Sequence, residues 1–318
     1  MRRALLTGID HYENMEDLAG CGNDATALHT LLSRNEDNSP NMSCRMLVSG
    51  AQRPVTRDQL LTNLESLLAP GSDLALFYFA GHGQAASNDV TLVTSDGAGL
   101  TWGVRFVEIL EQIRASKVNE TIVILDCCFA GAAGGLAFLT ESLSAIPTGV
   151  SILAATRHDQ PSLETAAGRG QFSTYLEGGL DGGAADVLGH VNVAGLYAYL
   201  SESFGSWEQR PAFKANIDRL HDVRLCEPSV PPSILRRLPV WFPEPNGRLP
   251  LDPSYEPDAE PHEPVHEEIF AQLQKCRAAK LVEPVGTEHM YYAAMHGHGC
   301  RLTPLGRHYW SMAKAGRI

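Results

Sequence analysis

No run of eighteen apolar residues occurs in this 318-residue chain, so no segment reads as a membrane-spanning helix. The first residues, Met1-Arg2-Arg3 running straight into Ala4-Leu5-Leu6-Thr7-Gly8, form too short an apolar stretch and carry no cleavage site for a secretory leader. A cytoplasmic location is the expectation. An excess of positive charge is also missing: 25 Lys and Arg stand against 37 Asp and Glu, a net charge of −12. That disfavours a general polyanion binder and favours basic substrates or partners. Nor is there a disulfide framework. Seven cysteines are an odd number, irregularly spaced, in a chain too long to need stapling, and they read as mostly reduced, buried thiols. Internal repeats are absent, and the one biased tract is rich in proline.

What is present is ordinary globular composition, 44% hydrophobic and 19% charged, long enough for one large domain and a small one. Residues 4–10 read as a short buried strand. A helix is expected from about Asp24 to Ser33, with Ala25, Leu28, Leu31 and Leu32 on one stripe. Arg45–Val48 reads as a strand. Thr56 opens a helix that Pro70-Gly71 ends. Asp73–Ala80 is a nearly continuous apolar run, the pattern of a strand covered on both faces. A polar, glycine-containing loop and a helix from about Gly103 to Ala115 should follow. Thr121–Cys127 and Ser151–Thr156 look like two more buried strands, with helices near Phe172–Leu180 and Val193–Ser203. This alternation predicts an α/β fold, a mostly parallel sheet with helices on both faces, whose site lies beyond the carboxyl ends of the strands.

Composition changes at Glu227. Eleven of the nineteen prolines fall between there and Pro264, which predicts an extended, semi-rigid connector over 227–264. Leu235, Leu238, Val240, Trp241 and Phe242 give part of it enough apolar surface to lie against a domain. The expected organisation is therefore a large domain over 1–226, the connector, and a small unit over 265–318.

Two predicted strand ends carry chemistry. One is Phe79-Ala80-Gly81-His82-Gly83, the other Asp126-Cys127-Cys128-Phe129-Ala130-Gly131. A cysteine hydrolase needs a thiol beside an imidazole that can take its proton and return it to a leaving amine. It also needs backbone N–H groups facing the oxyanion, and glycine lets main chain approach a substrate. Neighbouring parallel strands run about 4.8 Å apart, so side chains at two adjacent tips can meet. Along a strand, Asp126 and Cys128 point to one side and Cys127 to the other, which makes Cys127 a buried small hydrophobe.

At these motifs the chain resembles the caspase, metacaspase and paracaspase peptidases. The histidine lies 46 positions before Cys128, close to the spacing of about 50 in caspases. The cysteine motif is more similar to the metacaspase form D-x-C-x-x-G, with Phe129 where metacaspases usually carry histidine. ALLTGID followed by AGCGNDA, LFYFAGHG, ILAATRHDQPSLE and FSTYLEGGLDG add to a resemblance that spans roughly residues 3–217. It implies a caspase-like three-layer sandwich and a cysteine endopeptidase with His82 and Cys128 as the catalytic pair. Backbone N–H groups of Gly83 and Cys128 would form the oxyanion hole. It also implies an acidic S1 pocket at Asp24 and Asp126, where two carboxylates would grip a basic side chain, Arg before Lys. Asp24 is equally suited to cap a helix. Many members are zymogens, and Arg157, Arg169, Arg236 and Arg237 are the candidate processing sites. Roles in stress, antiviral defence or cell death are what such architectures imply.

No cofactor and no metal are called for. Calcium activation, a property of some metacaspases, finds no support in Asp89 and Asp96, seven residues apart. Residues 265–318 resemble a winged helix through AAKLVEP and LTPLGR, with Thr303 as a helix cap and a hairpin-like stretch through Gly297 and Gly299. His296, His298 and Cys300 alternate, but flexible wing-tip residues are preferred to a metal site. Tyr291, Tyr292, Tyr309 and Trp310 read as the core of this unit. The partners expected are protein substrates with exposed Arg or Lys, and a regulatory protein on the C-terminal unit. Nucleic acid is less favoured and no membrane is expected. The alternative is a silent caspase-fold scaffold or DNA-binding regulator that works through the C-terminal unit.

Overall fold

The computed structural model describes residues 1–86, 89–130, 146–155, 168–205 and 211–318, with backbone alone at positions 86 and 128–130. It divides into two compact units, one of residues 1–185 and 190–226, the other of residues 186–189 and 227–318.

The first unit is mixed α/β with a mostly parallel central sheet, as the alternation of elements predicts. Strands β1 (Arg2–Gly8), β2 (Ser43–Val48), β3 (Leu74–Ala86), β6 (Glu120–Ala130) and β7 (Val150–Ala154) run parallel, in the order β2-β1-β3-β6-β7. Strand β9 (Ala212–Asn216) closes that edge antiparallel to β7. The apolar run of β3 divides between two cores by the two-residue period of a strand. Ala75, Phe77 and Phe79 face one core with residues of helices α2 (Arg57–Leu67) and α3 (Phe106–Ala115). Leu74, Leu76, Tyr78 and Ala80 face the other, with α1 (Cys21–Ser33), α4 (Gln171–Gly178) and α5 (Val193–Ser203). Burial of each large side chain in this run contributes about 1.5–3 kcal/mol. Cys127 falls in the first core, buried, as strand alternation expects.

Two local features differ from the sequence reading. The polar loop expected after His82 instead carries β4 (Asp89–Ala98) and β5 (Thr101–Arg105). β4 pairs antiparallel with the far end of β3, and Val90, Leu92 and Val93 are buried. Helix α1 begins at Cys21, three residues before Asp24. Its first amides need no local cap because Asp10, just past β1, accepts from the N–H groups of Gly20 (2.9 Å), Cys21 (2.8 Å) and Gly22 (3.0 Å). Asp24 is thereby released from capping. A further antiparallel pair, β8 (His190–Asn192) with β10 (Asp222–Leu225), completes the described part of this unit.

The second unit has a core of its own, and residues expected to form a connector supply much of it. Val230, Leu235, Leu238, Trp241, Phe242, Leu251 and Tyr255 pack with Phe270, Leu273, Cys276, Tyr309 and Trp310. The Trp310 indole N–H donates to the carbonyl of Phe242 at 2.7 Å. Proline does not prevent this, because Pro232, Pro239 and Pro264 stand in the first turns of α6 (Pro232–Leu235), α7 (Leu238–Trp241) and α8 (Pro264–Ala278), where no intrahelical N–H is needed. A three-stranded sheet has the order β11 (Arg248–Pro250), β13 (Gly299–Leu302), β12 (Val282–Val285). The expected hairpin stretch instead holds a short helix, α9 (Met290–Met295), between the antiparallel β12 and β13. Thr303 caps α10 (Pro304–Lys314), accepting from Gly306 N–H at 3.0 Å. Tyr291 and Tyr292 are exposed, and only Tyr309 and Trp310 of the four expected aromatics are core.

Candidate active site

Register places the two motifs side by side. Across the parallel ladder of β3 and β6, Ala80 faces Asp126 and His82 faces Cys128. Gly81 lets the strand end pass under an aromatic ring: a Cβ there would lie 2.7 Å from the Tyr12 hydroxyl and 3.1 Å from the Phe79 ring. Tyr12 then fixes this end of β3. Its hydroxyl accepts from His82 N–H at 2.8 Å and donates to the carbonyl of Ile9 at 3.0 Å. Burial pushes the Tyr12 phenol well up, so it stays a neutral donor.

The imidazole is held by its far nitrogen. His82 Nε2 lies 2.8 Å from the carbonyl oxygen of Glu16, and the ring tilts against Tyr12 with centroids 4.7 Å apart. A carbonyl can only accept, so this bond assigns the proton to Nε2 and leaves the Nδ1 lone pair as a base. Sequence reasoning found no third group to orient His82. The group is a backbone carbonyl, to which side-chain identity is no guide.

Near these paired positions the two predicted pocket acids converge on one glycine. A Cβ on Gly170 would stand 2.9 Å from an Asp126 oxygen and 3.1 Å from an Asp24 oxygen. Asp126 accepts from the Ser173 hydroxyl at 2.5 Å, and Tyr78 lies 2.6 Å from that hydroxyl. Because Ser173 has one proton and gives it to the carboxylate, Tyr78 is the donor to Ser173. Asp24 has 3% of its side chain exposed. Burial, with Asp126 adding to it, pushes its carboxyl up to about 6, against the opposing pull of Arg169 and the Gly170 N–H.

Arg169, a candidate processing site, is instead the partner of Asp24. Its Nε donates to Asp24 Oδ1 at 2.8 Å, the Gly170 N–H donates to Oδ2 at 3.0 Å, and its Nη1 pairs with Glu177. Tyr78, Ser173 and Glu177 were not singled out in the sequence, although Ser173 and Glu177 lie within the family-like stretch FSTYLEGGLDG.

Gly83 is buried in the ladder between β4 and β6, so its N–H lies in the sheet plane rather than above it. Arg157 lies outside the described residues. Arg236 and Arg237 sit between α6 and α7 in the second unit, not on an extended connector. Arg236 is exposed, while Arg237 pairs with Glu268 at 3.1 Å and lies over the Trp241 ring. Among the described residues no group of three or more His, Cys, Asp or Glu could hold a metal ion. His296 ends α9 and Cys300 is fully buried in β13, so the expected alternation on one strand does not occur. Asp89 and Asp96 accept from the protein's own donors, Arg105, Val107, Thr94 and Arg57 among them.

A mostly parallel sheet with a histidine and a cysteine position paired across two neighbouring strands fits a cysteine-type peptidase. The family model of the caspase domain matches residues 1–218, and the chain belongs to that family. No curated protein matches the chain. Among the described residues no helix is long and apolar enough to cross a membrane.

Proposed function

We propose that the protein is an endopeptidase that cleaves after basic residues, Arg before Lys, with His82 and Cys128 as its catalytic pair. The observation that carries this reading is the register of His82 with Cys128, immediately beyond the acid pair on which a basic side chain would be read. The Cys128 thiol gives its proton to His82 Nδ1, and the thiolate attacks the scissile carbonyl carbon. The imidazolium keeps its bond to Glu16 while it forms, then protonates the leaving amine. Water, deprotonated by the same nitrogen, releases the acyl group and restores the thiol. Gly83 and Cys128 supply the N–H donors to the oxyanion. Asp24 and Asp126 select the cationic side chain by charge-assisted hydrogen bonds. Arg157 and the exposed Arg236 stand as candidate processing sites.

The proposal extends to the second unit, in which residues 265–318 form a winged-helix-like part completed by 227–264, as a module that recruits a regulatory protein. The exposed rings of Tyr291 and Tyr292 support a protein-binding surface there. Hydrolysis of a fluorogenic Arg-terminated peptide by the full chain tests the catalytic reading. Cleavage is expected after Arg, more slowly after Lys and not after Asp, and is lost in Cys128→Ala. Cleavage after Asp, or activity that survives Cys128→Ala, would overturn it.

A further inference from the structure

The acid pair that should receive a substrate's basic side chain already holds one from the chain itself. Both oxygens of Asp24 are taken, one by the Arg169 guanidinium and the other by the N–H of the next residue. The same guanidinium reaches Glu177, which is one-third exposed where Asp24 is closed off. Arg169 is thus bridged between a buried carboxylate and an outer one. Its fit is incomplete, since Nη2 is buried without a hydrogen-bond partner. An unsatisfied buried donor weakens the hold of any group that carries it.

We propose that Arg169 is a resident, displaceable occupant of the acidic pocket, and that a substrate's cationic side chain enters by taking Asp24 from it while Arg169 remains tethered to Glu177. This rests on the reading of Asp24 and Asp126 as the pocket acids. Arg169 then determines specificity as an internal competitor: only a side chain that offers Asp24 a better set of donors wins the site. A substrate guanidinium brings a charge-assisted fork, whereas an ammonium brings a single compact charge, so the competition sharpens the preference for Arg over Lys. Glu177 is a positioning residue that gives the displaced arginine somewhere to go.

The two residues therefore have opposite effects. Removal of the competitor in Arg169→Ala should lower KM for an Arg-terminated peptide about five- to tenfold, with the change in KM rather than kcat. Arg169→Lys should fall between Arg169→Ala and the native chain. Glu177→Gln, which leaves Arg169 with Asp24 as its only anionic anchor, should raise KM. A binding measurement that does not need catalysis uses benzamidine as the cationic probe, by calorimetry on the full-length Cys128→Ala chain. Tighter binding after Arg169→Ala and weaker binding after Glu177→Gln supports the proposal. Equal or weaker binding after Arg169→Ala, in chains that bind the probe, overturns the resident-occupant role and leaves the pocket standing. No binding by any form, together with no cleavage after Arg, overturns the pocket itself. If Arg169→Ala does not fold, Arg169→Lys and Glu177→Gln decide by the same two signs.

Discussion

The two halves of the site are held in opposite ways. His82 is fastened at one edge, by the Glu16 carbonyl and the Tyr12 ring, and its other nitrogen is left to act. Asp24 is closed: both oxygens are bonded and almost none of the side chain reaches solvent. A base must be oriented and still available, and one backbone hydrogen bond achieves that at little cost. A buried carboxylate has no such freedom, because charge taken out of water must be paired. On the proposed reading, the base is oriented and available while the selecting carboxylate is already satisfied from within, and substrate choice becomes a competition rather than the filling of an empty pocket.

The largest way to break this comparison is at the base. His82→Ala should lower kcat/KM for an Arg-terminated peptide by about 10³-fold or more, as expected when a dyad loses the partner that activates its nucleophile. Asp24→Asn comes next. It keeps the shape but removes the charge, and should raise KM for that peptide by about 10²-fold, with a smaller change in kcat. Steady-state kinetics on matched preparations measure both.

Acidity offers a reversible form of the same change. The Asp24 carboxyl sits at about 6, raised by burial above its ordinary value near 3.8. Below pH 6 it is neutral, so KM for a basic substrate should rise as pH falls through 6, about tenfold per pH unit at the limit. The linked effect on stability has the opposite sense. A raised carboxyl pKa means the folded chain holds a proton that the unfolded chain gives up, so charging Asp24 costs stability as pH rises from about 4 to about 6. A KM–pH profile that loses its inflection in Asp24→Asn checks the assignment. Two smaller effects follow. Tyr12→Phe removes the acceptor of the His82 N–H and the donor to Ile9 and should lower kcat about fivefold, near 1 kcal/mol. Cys127→Ala should cost about 1 kcal/mol in chemical denaturation and keep activity, since that thiol is packed in the core.

Much of the first unit was legible because its signals are local and strong. The run Leu74–Ala80 is apolar at every position, and only a strand covered on both faces uses such a run. The His82 and Asp-x-Cys motifs were expected at strand ends, but β3 and β6 run on to Ala86 and Ala130, so the paired positions lie within the ladder. What could not be read depends on contacts distant in sequence. Asp10 caps a helix ten residues away, Glu16 contributes a carbonyl that any residue has, and Arg169 reaches Asp24 across 145 positions. The proline-rich segment teaches the converse. Proline excludes helix interiors, but Pro232, Pro239 and Pro264 stand at helix starts, and the apolar spacing of Leu235, Leu238, Trp241 and Phe242 was the better guide.

The most direct test of the pairing of position 82 with position 128 is covalent labelling by an Arg-terminated acyloxymethyl ketone, read by peptide mass mapping of the full chain. The expected result is one adduct on Cys128 and none on Cys127. The adduct should be absent in His82→Ala and not formed by the Asp-terminated reagent. Label on Cys127 or another thiol, or equal label from the Asp-terminated reagent, would contradict the account.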